Sequence, residues 1–303
     1  MIHRNGVTTL IFILTMIPAA AQSQEPTHAA GVDLFASSDA DHSDVLKVGV
    51  NYNFSFTDLE HYQGGRLETF TFSSQGSRAT TRTRGYYLFA DTGERWKWNG
   101  VIGTDGRSVL GSGSLYAEGN FRQEYFFARD LVETPLGVSR GLYSNYLGAA
   151  YDVPLDDKST VTALVGVQQF DGKNWRPHLR GRYIYAINSD WGLTAQLRTR
   201  YFYNSSPREY DYFSPRYYAE VIPTLQLRRF YHRWQYSVAV GWGGRRDADT
   251  DWKGAMLAEA MVVTPSIGQD WYMKAAINYS NTPVSTGSAY SYQQFSLSLL
   301  KKF

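Results

Sequence analysis

The chain contains no cysteine among its 303 residues. That absence excludes disulfide staples, thiol nucleophiles and thiolate metal sites, and it suits an oxidising compartment. Long apolar runs are also scarce. The one N-terminal run, Val7 to Ile17, is too short to span a bilayer comfortably, and no other stretch approaches the eighteen apolar residues of a transmembrane helix. Formal net charge is only +2, from 30 Lys+Arg and 28 Asp+Glu, so global charge names no partner. Catalytic signatures are missing too. The six His residues include no zinc spacing such as HExxH, and no GxSxG elbow is present. His42 beside Asp41 and Asp44 is the local acid–base candidate, and a solvated loop histidine accounts for it. Gly111-Ser112-Gly113-Ser114 lacks the lysine and the helix of a phosphate loop and reads as small strand residues. We expect no catalytic residue, no metal, no cofactor and no enzyme activity.

What is present begins with a leader. Arg4 gives a short positive region, Val7 to Ile17 an apolar one, and Ala19-Ala20-Ala21 a small-residue cleavage site. The expected division is a signal peptide over 1–21, a short periplasmic lead-in over 22–30, and one domain over 31–303.

That domain is rich in aromatics, with Tyr 23, Phe 16 and Trp 8, and its apolar residues recur at period two. Leu46, Val48, Val50, Tyr52, Phe54 and Phe56 alternate with Lys47, Gly49, Asn51, Asn53 and Ser55. The same alternation runs through Trp175 to Ile187, Trp191 to Tyr203, Tyr217 to Leu227, Trp234 to Trp242 and Trp271 to Tyr279. Helical spacing fits none of these. Several apolar faces carry aromatics at both ends and aliphatics between, the banding of a strand that crosses a bilayer. Near the C-terminus Phe295, Leu297, Leu299 and Phe303 share one face of a final amphipathic strand. The pattern predicts an all-β transmembrane antiparallel barrel of about sixteen strands in the bacterial outer membrane, with lipid and the barrel assembly machinery as partners.

Turn signals place the breaks at Asp39-Ala40-Asp41, Gln75-Gly76-Ser77, Asp91-Thr92-Gly93, Thr104-Asp105-Gly106, Glu118-Gly119-Asn120, Asp156-Asp157, Asp171-Gly172, Asn188-Ser189-Asp190 and Ser266-Ile267-Gly268. An even strand number keeps both termini on the periplasmic side. The outer loops are then Val132–Gly141, Asp171–Asn174, Asn204–Ser214, Gly244–Thr250 and Asn281–Ala289. Pro223 falls inside a strand and predicts a bulge.

Local charge is more informative than the total. Between Lys173 and Arg233 there are 11 Lys/Arg against 4 acids. With the aromatic faces on lipid, the opposite faces line the pore. The expected lumen path is Arg176, Arg180, Arg182, Arg198, Arg200, Arg216, Tyr218, Glu220, Arg228 and Lys274. Arginine holds a permanent charge and a planar fork that grips carboxylates, so the substrate class is an anionic polysaccharide or oligosaccharide. Tyr218 and Tyr272 are expected to offer stacking and hydroxyl contacts to sugars. The competing reading is an arginine–acid lattice that braces the wall, with Glu220, Glu259, Glu124 or Glu118 as partners. A lipid-facing stripe on the same strands argues against nucleic acid.

Two local patterns resemble a known group. Phe170-Asp171-Gly172-Lys173-Asn174-Trp175-Arg176 opens a strand, and Tyr212-Phe213-Ser214-Pro215-Arg216-Tyr217-Tyr218 follows about forty residues later. A basic strand, Arg233-Trp234 and Gly241-Trp242-Gly243-Gly244 come after. Over Ser144 to Phe303 this succession resembles the C-terminal barrel of bacterial exopolysaccharide secretion proteins, which export cellulose and poly-N-acetylglucosamine. The resemblance implies a sixteen-stranded outer-membrane barrel that passes a growing glycan, as in biofilm formation. The group's long periplasmic helical-repeat region has no counterpart in this sequence, so a periplasmic scaffold would be a separate partner, beside an inner-membrane synthase. Trp175-Arg176-Pro177-His178-Leu179-Arg180-Gly181-Arg182 also resembles strands of acidic-oligosaccharide uptake porins. Uptake is therefore the alternative to export, with a barrel-embedded hydrolase third.

Overall fold

The structure, a computed structural model, describes residues 27–76, 78–119, 121–265, 270–282 and 291–303. The expected signal peptide and residues 22–26 lie outside the described residues, as do Ser77, Asn120, the Ser266-Ile267-Gly268 turn and residues 283–289 of the Asn281–Ala289 loop.

Period-two alternation produces strands throughout. They are β1 (Thr27–Asp39), β2 (Asp44–Asp58), β3 (His61–Ser73), β4 (Thr80–Thr92), β5 (Trp96–Thr104), β6 (Val109–Ala117), β7 (Arg122–Leu131) and β8 (Tyr143–Pro154). The second half adds β9 (Ser159–Phe170), β10 (Trp175–Asn188), β11 (Leu193–Tyr203), β12 (Tyr217–Tyr231), β13 (Trp234–Asp247), β14 (Thr250–Val263), β15 (Trp271–Ser280) and β16 (Tyr292–Lys302). Each pairs antiparallel with its chain neighbours, and β1 pairs with β16 from Ala29↔Lys302 to Asp39↔Tyr292, closing the barrel. Thr27 to Ala30, expected in the lead-in, are already in β1. Closure removes every free edge, so all ladder groups are satisfied within the sheet.

The apolar faces point outward. Val50 is 55% exposed and Trp242 77% exposed, values that only a lipid surround makes favourable. Aromatics gather at the end with tight turns, where the Trp234 and Trp271 rings meet edge-on at 5.7 Å and His28 lies against Tyr52 and Phe303.

Phe56 departs from the expected alternation. It was read as outward with Leu46 to Phe54, yet it is fully buried. The register shifts between Asn53 and Ser55, and one extra residue moves everything after it to the other face. Phe56 therefore turns inward and packs with Ala29, Tyr62, Tyr272 and Leu300. Pro223 is the opposite case. It faces Leu197 in an unshifted ladder, and β12 keeps its register with β13 across it. No bulge forms there, because the residue lies where the ladder tolerates a missing donor.

The connection between β2 and β3 carries no glycine or proline signal. Asp58 makes this turn by accepting from the Glu60 amide at 2.8 Å and contacting the His61 ring at 2.9 Å. The expected Gly244–Thr250 loop shrinks to Ala248-Asp249, because β13 runs on to Asp247.

The longest loops lie at the other end. The β7–β8 connection contains a short helix, α1 (Pro135–Arg140). Thr134 caps it by accepting from the Gly137 amide at 3.0 Å, and Gly141 ends it at φ 74. This connection folds inward. Val138 packs in one buried cluster with Val45, Phe70, Phe72, Leu110, Leu131 and Tyr143. Burying Val138 there stabilises the fold by roughly 1.5–3 kcal/mol.

Candidate functional site

The lumen wall divides into two sectors of different electrostatic character. On β1 to β7 the cations are matched. Arg66 lies 3.9 Å from Asp33 and 3.6 Å from Glu68. Arg84 reaches Glu68 at 3.4 Å and Asp130 at 3.6 Å, Arg82 holds Asp105 at 2.6 Å, and Lys47 holds Glu133 at 2.6 Å. Each of these four cations has at least one carboxylate, so this sector braces the wall. The sequence does not announce it, because Arg66, Arg82 and Arg84 lie between Gly64 and Leu131, where the alternation is less regular than in the second half.

The second sector spans β10 to β12. The register sets Arg180 opposite Arg200 and Arg182 opposite Arg198. Like charges directly opposite on one face are destabilising, so this pairing is unfavourable unless anions attend it. Two do. Glu220, opposite Arg200, binds it at 3.0 Å, and Glu259 reaches Arg198 from β14 at 2.9 Å. Arg180, Arg182 and Arg228 have no carboxylate within 4 Å among the described residues. Arg180 Nε is buried without a hydrogen-bond partner. The sector thus retains uncompensated positive charge.

Not every expected lumen residue belongs to it. Arg176 is buried between the Phe170 and Phe202 rings, 4.7 Å from each, and donates to Asn204 Oδ1 at 2.7 Å and to the Phe213 carbonyl at 2.6 Å. Both of these donations serve the β11–β12 loop, and it is structural. Tyr218 is only 1% exposed and stacks on Phe202 at 5.1 Å. It has no free ring face for a sugar. Its hydroxyl donates to Glu220 at 2.6 Å and so positions that carboxylate. Tyr272, also expected to stack on sugars, is packed against Phe56 at 5.9 Å. Arg216 precedes β12 and is exposed, donating to the Tyr203 hydroxyl at 3.1 Å. Tyr203 belongs to the lipid-facing row, so Arg216 lies on the outer rim and not in the path. Lys274 shares the inward face of β15 with Tyr272 and Ala276, across the barrel wall from β10.

A belt of inward rings supports the basic sector from the loop side. Phe126 stacks on Tyr146 at 5.6 Å, Tyr146 meets His178 at 5.3 Å, and His178 lies 5.6 Å from Phe202. Gly166 makes this possible, because a Cβ there would come within 2.5 Å of the Tyr146 hydroxyl. Above the belt three loops lock together. Glu209 accepts from the Lys173 amide at 2.6 Å and the Asn174 amide at 3.0 Å, and Tyr212 stacks on Phe170 at 4.0 Å. Burial pushes the Tyr212 phenol up to about 12, so it remains a neutral donor or acceptor at any physiological pH.

His42, the local acid–base candidate, sits in the β1–β2 turn at φ 54. The Asp39 carboxylate there accepts from the Asp41 and Ser43 amides at 2.9 Å each. Among the described residues no group of His, Asp and Glu forms a metal cluster.

No family model matches the sequence, and no curated protein matches it. Solved structures do match. A bacterial polysaccharide outer membrane secretin superposes with a TM-score of 0.68 at 10% identity, covering 92% of this chain and 99% of that one. OprD of Pseudomonas aeruginosa aligns over 95% of this chain and 98% of its own at 9% identity, with a TM-score of 0.44. The chain has the fold of an outer-membrane barrel, closed by sixteen antiparallel strands.

Proposed function

We propose that this protein is an outer-membrane pore that exports an anionic exopolysaccharide, and that the chain itself performs no covalent step. The observation that carries the reading is that Arg180, Arg182 and Arg228 have no carboxylate within 4 Å among the described residues, whereas Lys47, Arg66, Arg82 and Arg84 each have one. A purely bracing lattice would match every inward cation, as Lys47, Arg66, Arg82 and Arg84 are matched. Arginines facing water in a low-dielectric wall attract polyanions and release them when contacts are weak and repeated. The barrel fold shared with the polysaccharide secretin supports a glycan as the polymer. Tight turns at one end and longer loops at the other follow the outer-membrane pattern, which puts the loops outside the cell. A separate periplasmic scaffold and an inner-membrane synthase would deliver the chain.

Planar-bilayer recording on the purified barrel tests the pore. The expected result is an anion-preferring conductance blocked by acidic but not neutral oligosaccharides. In a deletion strain, loss of surface polymer with normal growth on acidic sugars marks export; the reverse result marks uptake.

A further inference from the structure

Resting on that reading, we infer that Arg180 and Arg182 form a two-step station for the carboxylates of a passing glycan, with Glu220 and Glu259 as resident carboxylates that set how briefly it stays. Arg180 and Arg182 lie two positions apart on the same face of β10, about 6.6 Å along the strand. Each stands in a row with one further arginine on β11, Arg200 or Arg198. In each row the β11 arginine carries a carboxylate and the β10 arginine does not. The wall therefore already shows the ligand it accepts. Glu220 and Glu259 demonstrate carboxylate binding at 3.0 and 2.9 Å, and the vacant partner of each row offers the same chemistry.

The surroundings hold this arrangement. Tyr218 donates to Glu220, which fixes that carboxylate on Arg200, and Gln196 accepts from Arg198 Nε at 3.1 Å. Arg245, in register with Glu220 on β13, adds positive charge beyond it. The rings of Tyr146, His178 and Phe202 back the rows from the loop side. A glycan carboxylate at Arg180 sits beside Glu220's guanidinium partner and shares its field. The resident acid repels the incoming one, so the hold is weak and the polymer advances to the next row. Binding strong enough to capture but weak enough to release is what conduction requires.

The test uses the full-length barrel in planar bilayers with trigalacturonate as the acidic probe and maltotriose as the neutral one. Arg180→Gln with Arg182→Gln is expected to shorten trigalacturonate block about tenfold while conductance remains. Arg180→Lys with Arg182→Lys keeps the charge but loses the fork, and is expected to shorten block by a smaller factor. Glu220→Gln with Glu259→Gln is expected to lengthen block about tenfold and raise anion selectivity. Unchanged block in both arginine pairs, with wild-type block intact, overturns the station and leaves the pore standing. Unchanged or shortened block in the glutamate pair overturns the role of the resident acids. A wild-type barrel without conductance removes the pore reading, and the station with it.

Discussion

The Asp211 carboxylate accepts from the Thr134 hydroxyl at 2.6 Å and from the Leu136 amide, also at 2.6 Å. One side chain of the β11–β12 loop thereby completes the first turn of α1, whose own cap is Thr134. The two longest described loops are joined at this point, over the lumen mouth.

Asp211→Ala removes both acceptors. We expect a local loss of about 1–2 kcal/mol, the magnitude of a lost helix cap, without unfolding of the barrel. Limited proteolysis should cut within Val132–Leu142 faster in the variant, and single-channel traces should show added flicker. Equal cleavage rates would show that the loops are held independently.

Asp105 makes stability depend on pH. Burial opposes its ionisation, but the Ser108 and Arg107 amides, the Tyr143 hydroxyl and Arg82 together hold its carboxyl at about 2, below the ordinary 3.8. A depressed folded value means that the unfolded chain takes up the proton first. The contribution is complete above the ordinary value and is lost as pH falls through about 2. Chemical unfolding in detergent should show wild type losing stability between about pH 4 and 2 more steeply than Asp105→Asn. Parallel curves would assign the acid sensitivity to other carboxylates.

Arg176 and Arg182 both belong to β10 but have opposite expected behaviour. Arg176→Ala removes the Phe213 carbonyl's side-chain donor and one of two donors to Asn204 Oδ1, the Asn174 amide remaining, and opens a gap between rings, at a cost of about 2–4 kcal/mol. Arg182→Gln removes a cation facing Arg198, and the expected change is within about 0.5 kcal/mol, or a slight gain. Heat-modified mobility in detergent separates the two. Equal destabilisation would mean that Arg182 also braces the wall.

The seam between the first and last strands has its own weak position. A Cβ at Gly31 would overlap the backbone carbonyl of Leu299 and approach Asn51 Oδ1 at 2.8 Å. Backbone cannot step aside as a side chain does, so Gly31→Val should lower the yield of folded barrel in vitro. Gly65→Val is the control, since its nearest contact is 3.8 Å away. A normal yield from Gly31→Val would show that β1 and β16 slide past the clash.

The barrel was legible because alternation survives in sequence. Val48, Val50 and Tyr52, or Val238, Val240 and Trp242, state their face without further context. Phe56 was not, because a bulge leaves no residue signature of its own and the pattern simply changes sides. The Asp58 turn was hidden for a related reason, since its hydrogen bonds replace the glycine that a reader looks for. Within the site, the Arg180, Arg182, Arg198 and Arg200 rows followed from strand parity alone. Which arginines have partners did not, because Glu259 reaches Arg198 from three strands away and no spacing encodes that. Arg176 and Tyr218 have the right parity but lie beneath a loop, whose position is a tertiary fact.

The Ser298 hydroxyl reaches Asp33 at 2.6 Å across a separation of 265 residues. While the polypeptide is being made, β1 can pair with β2, but its other edge must wait until almost everything else has emerged. Two sticky margins stay open for that whole interval. Joining those margins is thus the final act of building the sheet, and it cannot precede synthesis of the last strand.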